Sequence, residues 1–332
     1  MTTLTELVRN SRTPLAMPVA TFPGTALTKF SVREIVADAR KQSDTQMAFH
    51  RRFGTRILMS CMDLSVEAEA FGSAVTFSDT EVPTVTGRLV TDESAVKQIP
   101  IPPIGTGRTR VYIDAVANLV KAGGGLPVLA GMIGPFSLAG RLFGVSESLL
   151  ATAAEPEAIE ALIEKTTAFL TAYATAFKAA GASGIIIAEP SAGLLSPRGL
   201  AAYSSPFVKR IIESVEGGGF EVILHNCAAK QVHLGAVGES GAHIFHFGAP
   251  MEIPAALKGL PPGSIVCGNL DPAAVFVHAK PDAVARLTRE LIASTEGSAN
   301  FVVSSGCDIP AATSHENLDA FFREASATPL RN

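Results

Sequence analysis

The order of apolar segments along the chain predicts an α/β fold, and within that class a (β/α)8 TIM barrel. Over the C-terminal two thirds, short apolar runs alternate with longer segments whose apolar residues recur at helical spacing. The short runs are apolar throughout, which is typical of parallel strands covered by helices on both sides. A chain of 332 residues has the size of such a barrel with an extension. A doubly wound open sheet is the alternative, but no G-x-G-x-x-G follows a predicted strand.

Six segments have the length and composition of buried strands. They are residues 126–133, 184–189, 220–227, 242–247, 264–270 and 300–305. The predicted helices are residues 156–180, 281–294 and 314–325, with one more after the turn at Gly134-Pro135 and one opened by Ser196-Pro197. Gly181 is a stop signal for the longest of them. Ser196 can cap a helix and Pro197 suits its first turn.

The first 103 residues are predicted to form an N-terminal extension that caps the barrel, and residues 104–332 to form the barrel itself. We expect one structural unit, with the boundary at the proline-rich segment 100–103 (PIPP). Helices are predicted in the extension at residues 1–10, 31–42 and 66–70. Short, partly polar strands are predicted at residues 74–77, 84–90 and 97–101, as a small hairpin sheet over the barrel mouth.

Composition argues against several classes of function. The 27 Lys and Arg residues are outnumbered by 31 Asp and Glu, and no basic run offers a surface for nucleic acid. Four cysteines are too few for a disulfide-stapled secreted fold, and the N-terminus has no secretory signal pattern, so we expect a reduced, cytoplasmic protein. The most apolar window, residues 126–145, is interrupted by Pro127, Pro135 and Arg141, so we expect no membrane span.

The sharpest chemical signal is His225-Asn226-Cys227 at the end of a predicted strand. Residues i and i+2 of a strand point to the same face, so the imidazole and the first thiol project together. Cys307 lies just beyond another predicted strand, and the C-terminal strand ends of a (β/α)8 barrel form its active face. One histidine and two cysteines suit zinc with one coordination position left open, as in catalytic sites. By itself the H-x-C pattern is weak, because buried cysteines are common.

Other residues have a structural interpretation beside the functional one. Cys61 and Cys267 lie in apolar segments and are expected in the core. His243 and His246 lie three apart in one strand, so at most one of them points into the barrel. Glu189 follows a strand end, where its carboxylate would face the mouth or merely cap the next helix.

Several motifs together resemble the uroporphyrinogen decarboxylase superfamily. They are MDLSVEAEAFG, GPFSLAGRLFG, EPSAGLLSP, HNC, GNLDP and SSGCDIPAATSHENLDAF, and they extend from about Asp63 to Phe322. HNC with the distant GCDIP resembles the branch of methylcobalamin:coenzyme M methyltransferases and related corrinoid-dependent methyltransferases. The resemblance implies a (β/α)8 barrel with an N-terminal extension, and zinc bound by His225, Cys227 and Cys307. The decarboxylase branch fits poorly, because its R-Q-A-G-R motif is replaced here by RTPLAMPVATFPG.

This resemblance implies an enzyme that uses zinc to move a methyl group between a corrinoid and a small thiol. Binding to zinc deprotonates a thiol, and the thiolate can attack the methyl group of methylcobalamin, forming a thioether and leaving cob(I)alamin. Methylcobalamin would be a co-substrate carried on a separate corrinoid protein, because the chain lacks the D-x-H-x-x-G pattern of cobalamin binding. The first alternative is the opposite direction, from an ether, amine or halide methyl group to a corrinoid protein.

Three carboxylates are candidates for catalytic roles. Asp308, beside Cys307, would support a ligand or cap a turn, and Glu189 would be a fourth zinc ligand or position the substrate. Asp79, in the motif FSD, is superficially similar to the catalytic aspartate of the decarboxylases, whose lyase activity is a further alternative. A non-catalytic, zinc-stabilised binding protein is another, and it predicts four protein ligands. The sequence does not identify the methyl donor or acceptor, or the oligomeric state. A sulfonate such as that of coenzyme M would need a cation, and the candidates are Arg108, Arg110 and Arg141.

Overall fold

The structure, a computed structural model, describes residues 2–295 and 298–327. The strands of the central sheet are β1 (Leu15–Ala16), β2 (Leu58–Met59), β5 (Val128–Ile133), β6 (Gly184–Ala188), β7 (Glu221–Asn226), β8 (Ile244–Phe247), β9 (Ile265–Leu270) and β10 (Phe301–Ser305), and a separate antiparallel hairpin contains β3 (Ala74–Thr76) and β4 (Thr84–Thr86). The eight strands are parallel, in the order β1-β10-β9-β8-β7-β6-β5-β2. Residues of β1 and β2, at the two ends of this order, line one small cavity. The predicted (β/α)8 barrel is therefore confirmed.

Helices surround this sheet. They are α1 (Leu4–Arg9), α2 (Thr25–Thr28), α3 (Val32–Ala37), α4 (Ala39–Phe53), α5 (Val66–Phe71), α6 (Glu93–Gln98), α7 (Thr109–Ala122), α8 (Pro135–Phe143), α9 (Val145–Ala154), α10 (Pro156–Ala179), α11 (Pro197–Tyr203), α12 (Ser205–Val215), α13 (Leu234–Gly238), α14 (Ile253–Gly259), α15 (Pro281–Ser294) and α16 (His315–Ala327). The predicted cap of α11 is present, because Ser196 Oγ accepts a hydrogen bond from the Gly199 amide at 3.1 Å. Among the described residues, no helix is both long and apolar enough to cross a membrane.

The first 103 residues divide differently from the prediction. β1 and β2 pair with β10 and β5, so the barrel already begins in the segment that was assigned to an extension. α1, predicted at residues 1–10 with Met1 outside the described residues, lies at the end of the barrel opposite the mouth. There the Leu4 and Thr5 amides donate hydrogen bonds to the Glu221 carboxylate at the start of β7. The predicted hairpin is present with shorter strands, Ala74–Thr76 and Thr84–Thr86. The strand predicted at residues 97–101 is wrong, because these residues are the end of helix α6, which Asp92 caps, and the irregular segment after it.

Alternate strand residues fill the barrel with apolar side chains. This inner core includes Leu129, Ile186, Ile223, Ile244, Ile265, Cys267 and Val302. Because strand side chains alternate between faces, the residues two positions further along also point inward, one layer nearer the carboxyl ends of the strands. On β7, β8 and β10 these residues are His225, His246 and Ser304, and all three are buried. A polar layer therefore lies directly above the apolar one.

A buried arginine connects the hairpin to the barrel. Arg108 is 7% exposed, forms ion pairs with Asp63 and Glu69, and donates to Ser65 Oγ at 2.7 Å. Its guanidinium also lies 4.8 Å from the ring centre of Phe77, which follows β3. Because Asp63 lies beyond β2, this one side chain links the end of a barrel strand to the hairpin.

Glu67 on α5 makes stability dependent on pH. Its Oε1 accepts a hydrogen bond from the Ile133 amide at 3.0 Å, while its Oε2 has no partner among the described residues. Burial raises the pKa of Glu67 from 4.5 to about 8, so the folded protein keeps a proton that the unfolded chain loses. The free energy of unfolding should therefore fall as the pH rises through this window, by up to about 1.4 kcal/mol per pH unit.

The substitution Glu67→Gln keeps the shape of the side chain and removes its titration. Urea denaturation should show that the stability of the variant, relative to wild type, increases as the pH rises from 4.5 to about 8. Two stability curves that run parallel across this window would show that Glu67 is not buried in a protonated form.

Candidate metal centre

His225 and Cys227 come from the carboxyl end of β7. His225 is the last-but-one residue of the strand, points into the barrel and is 4% exposed. Cys227 follows the strand and is partly buried. The loop after β8 passes close to this turn at Gly248, where a Cβ would collide with the Cys227 carbonyl group. Glycine at this position therefore lets the ends of β7 and β8 pack together.

Cys307 reaches the same place from the end of β10. The chain leaves the strand through Gly306, whose amide donates to the Leu270 carbonyl oxygen at 2.6 Å. A Cβ on Gly306 would lie 2.9 Å from the Ala249 nitrogen, so the close approach requires glycine. One ligand atom each of His225, Cys227 and Cys307 lie within 4.8 Å of one another. The structure thus brings together the three residues that the sequence selected as metal ligands.

The two thiols of this group are coupled. A hydrogen bond between them lowers the pKa of Cys227, and the same bond together with burial raises the pKa of Cys307 to about 12. The pair therefore loses its first proton more easily than an isolated cysteine and holds the second more tightly. A thiolate that accepts a hydrogen bond from a neighbouring thiol is a ready ligand for a soft or borderline cation.

Two further residues line up behind His225. His225 Nδ1 lies 2.7 Å from His246 Nδ1, and His246 Nε2 lies 2.9 Å from Ser304 Oγ. Ser304 Oγ donates to the Met17 carbonyl oxygen at 2.6 Å. Burial holds the pKa of His246 well below its usual range, so its ring is neutral. The expectation that only one of His243 and His246 faces the interior is confirmed, since His243 is half-exposed beside Glu216.

Sequence reasoning did not select His246 or Ser304 for the site. The signal that would have found them is strand alternation. His246 lies two residues beyond the inward-facing Ile244, and Ser304 two beyond the inward-facing Val302. His246 is also the register partner of His225 across the β7–β8 pair.

Asp308 supports the loop that carries Cys307. Its two carboxylate oxygens accept hydrogen bonds from the Thr21 amide at 3.1 Å and the Thr21 hydroxyl at 2.7 Å. The Thr21 hydroxyl accepts in turn from the Met62 amide at 3.1 Å. Burial raises the pKa of Asp308 well above its usual range. Asp308 therefore connects the loop after β10 to the segments after β1 and β2.

Glu189 is directed at a helix N-terminus. Its side chain is fully buried, and its oxygens accept hydrogen bonds from the Phe136 amide at 2.9 Å, the Ser137 amide at 3.0 Å and the Ser137 hydroxyl at 2.6 Å. Burial raises the pKa of Glu189 to about 7, against the lowering effect of these bonds. Glu189 thus caps α8, the helix that directly follows β5. A role in catalysis stays a prediction.

Asp79 lies away from the three-residue group. It forms an exposed ion pair with Arg33 at 3.0 Å, and its carbonyl oxygen accepts from the Val32 amide at 2.9 Å. These contacts hold the hairpin loop against α3. The next residues of that loop line a cavity together with Asp308, so the hairpin borders the mouth of the barrel near Cys307. A catalytic role for Asp79 also stays a prediction.

Comparison with known proteins agrees with the fold and the motifs. A family model described as uroporphyrinogen decarboxylase (URO-D) matches residues 9–327. The methylcobamide:CoM methyltransferase MtbA of Methanosarcina acetivorans is 28% identical over 289 residues, which cover 86% of this chain and 84% of the relative. The methylated-thiol–coenzyme M methyltransferase of Methanosarcina mazei is 27% identical over 296 residues, which cover 88% of this chain and 78% of the relative. A solved structure described as a methyltransferase from Methanosarcina mazei has a TM-score of 0.86 at 20% identity, covering 98% of this chain and 99% of that chain.

The family match includes all eight strands of the barrel and the three residues of the candidate metal centre. The solved methyltransferase has the same fold along nearly the whole chain. The resemblance found in the motifs is therefore confirmed. The chain belongs to the uroporphyrinogen decarboxylase family, and its sequence relatives identify it as an enzyme of the methyltransferase branch.

Proposed function

We propose that the protein is a zinc-dependent methyltransferase that moves a methyl group between a corrinoid, carried by a partner protein, and a small thiol. The observation that supports this most strongly is the convergence of His225, Cys227 and Cys307 at the mouth of the barrel. The names of the relatives pair a methylcobamide or a methylated thiol with coenzyme M. A thiol of the coenzyme M type is therefore the acceptor we propose.

The donor set fits zinc. Nitrogen and sulfur ligands of a tetrahedral zinc, with bonds of about 2.0–2.3 Å, lie roughly 3.5–3.8 Å apart. Ligand atoms that are already within 4.8 Å of one another reach this spacing by small side-chain rotations. In the described part of the chain, no fourth His, Cys, Asp or Glu joins this group. Three protein ligands leave one coordination position for a substrate, as in catalytic zinc sites.

The protein's own groups prepare this position. When bound, zinc supplies a Lewis acid that lowers the pKa of a substrate thiol, so that the thiolate is available at neutral pH. The hydrogen bond between Cys227 and Cys307 favours one thiolate in the ligand set before any metal arrives. His225 is buried in the barrel, so a substrate would reach the site from the mouth, where a corrinoid protein would dock.

The environment of Arg141 favours a substrate that carries an anion. Of the three arginines that the sequence proposed for a sulfonate, Arg108 is held by Asp63 and Glu69, and Arg110 by Asp114. Arg141, on α8 at the mouth end of the barrel, has no hydrogen bond or ion pair with any described residue. Arg141 is partly buried, and this burial lowers its pKa. A sulfonate or carboxylate on the thiol substrate would compensate this charge.

The N-terminal segment lacks the cations that the decarboxylase alternative would require. A substrate with many carboxylates needs several cations there. In this chain the segment forms β1, and its one arginine, Arg12, is exposed. The opposite direction of methyl transfer would use the same three ligands, and the choice of methyl donor in the assay decides between the two directions.

The experiment is methyl transfer from free methylcobalamin to a panel of thiols, followed by the absorbance of the corrinoid. We expect methylation of 2-mercaptoethanesulfonate, and a higher KM for 2-mercaptoethanol, which lacks the anion. Chelation should abolish transfer while circular dichroism stays unchanged, and added zinc should restore it. Full activity of demonstrably zinc-free protein would contradict the proposal. Loss of the fold on chelation would instead favour a zinc-stabilised binding protein.

A further inference from the structure

Three buried polar side chains form one line across the inner layer of the barrel. His225, His246 and Ser304 come from β7, β8 and β10, and His246 and Ser304 are completely buried. The line begins at His225 Nδ1, passes through both nitrogens of His246 and ends on the Met17 carbonyl oxygen. Each contact is between 2.6 and 2.9 Å, so every one is a hydrogen bond of good length.

The direction of these hydrogen bonds follows from their far end. A carbonyl oxygen only accepts, so the Ser304 hydroxyl proton points to Met17. Ser304 Oγ must then accept the proton of His246 Nε2. His246 has no carboxylate partner among the described residues, and a completely buried imidazole without one is neutral, so His246 Nδ1 carries a lone pair and not a proton. His225 Nδ1 must therefore be the donor in the bond between the two rings.

We propose that His246, oriented by Ser304, is a positioning residue that holds His225 in the Nδ1–H tautomer and leaves His225 Nε2 as the ligand nitrogen. A neutral imidazole binds metal through its unprotonated nitrogen. In the other tautomer a proton on Nε2 would have to be displaced before the metal could bind. The role as a metal ligand rests on the proposed function, whereas the tautomer itself does not depend on it.

Two pairs of variants separate positioning from packing. His246→Asn places a side-chain carbonyl oxygen near the position of His246 Nδ1, where it can accept the His225 proton. His246→Leu has a side chain of similar size to histidine but no atom that can accept this proton. Ser304→Ala removes the acceptor for His246 Nε2, so His246 is free to donate to His225 and reverse its tautomer. Ser305→Ala is the matched control, because it removes a buried hydroxyl from the next residue of β10 that bonds to Val19 instead.

The first measurement is the tautomer of His225 in the metal-free protein. Long-range proton–nitrogen NMR of protein labelled with nitrogen-15 distinguishes the two ring nitrogens, and a His225→Asn spectrum assigns the signals. We expect protonated Nδ1 in wild type, His246→Asn and Ser305→Ala, and loss of this single state in His246→Leu and Ser304→Ala. A wild-type His225 protonated at Nε2 would overturn the inference, whether or not the protein binds zinc.

The second measurement is zinc affinity, from competition with a chromophoric chelator. We expect the affinity to fall about 10–100-fold in Ser304→Ala and His246→Leu, and to stay near wild type in Ser305→Ala and His246→Asn. Equal affinities in Ser304→Ala and Ser305→Ala would overturn the positioning role. Ser304→Ala removes only a hydroxyl group, so it provides the affinity test even if His246→Leu does not fold. Absence of zinc binding by wild type would contradict the proposed function, while the NMR result would still decide the tautomer.

Discussion

Replacing Cys307 with alanine should abolish zinc-dependent methyl transfer and leave the protein folded. The variant keeps His225 and Cys227, but two ligands hold zinc much less tightly than three. We expect the bound zinc to be lost on dialysis and the transfer rate to fall about a thousand-fold or more, which corresponds to about 4 kcal/mol of transition-state stabilisation. Cys307 is only partly buried and lies outside the apolar core, so circular dichroism and the melting temperature should change little.

The matched control for this variant is Cys267→Ala. It removes the same atoms from β9, where the thiol is fully buried in the inner core. We expect normal zinc content and activity, with a loss of about 1 kcal/mol in the free energy of unfolding from the small cavity. Metal analysis and the thiol methylation assay would be run on both variants side by side. Loss of zinc from both, or from neither, would refute the assignment of Cys307 as a ligand.

Replacing Arg108 with leucine should cause the largest loss of stability among the charged residues discussed above. The Asp63 side chain is completely buried, and Arg108 is its ion-pair partner. Removing the cation leaves a buried carboxylate whose remaining hydrogen bonds, among the described residues, come from the Ser65 and Tyr112 hydroxyls and the Ser65 amide. We expect the free energy of unfolding to fall by about 3–5 kcal/mol. Because Arg108 also stacks on Phe77, the hairpin beside the mouth should become more accessible to proteases.

Arg110→Leu on the same helix is the control for Arg108→Leu. Arg110 is 70% exposed and pairs with Asp114 one turn away on α7, where water competes with the ion pair. Its replacement should change the stability by less than about 0.5 kcal/mol. Urea denaturation of the two variants and wild type gives the comparison. Similar stabilities for the two variants would mean that the buried Arg108–Asp63 pair contributes no more than an exposed one.

The strands that the sequence predicted correctly share one property. Segments such as Val128–Ile133 and Glu221–Asn226 are long enough for a continuous apolar run to stand out, and they lie between helices with clear periodicity. β1 and β2 have two residues each, too few to show any period. Their place in the barrel is set by pairing with β10 and β5, which are far away in sequence. Local patterns therefore predicted that the barrel begins at residue 104, whereas its first strand is β1.

The site shows the same division between local and distant information. The set of His225, Cys227 and Cys307 was accessible because strand alternation and the common carboxyl end of barrel strands bring these positions together. Strand alternation would have shown that His246 and Ser304 point inward, but the hydrogen bonds that join them to His225 depend on the relative positions of three strands, which the sequence does not display. For Glu189 the sequence left open a cap or a catalytic role. The structure shows the cap, on a helix that precedes its strand.

X-ray absorption at the zinc edge tests the central claim most directly, because it counts and identifies the atoms bound to the metal. For the wild-type protein we predict about one zinc per chain, with two sulfur neighbours at about 2.3 Å and a histidine nitrogen at about 2.0 Å. Addition of the thiol substrate should raise the number of sulfur neighbours to three. No uptake of zinc, or four protein ligands that do not change when the thiol is added, would contradict the account.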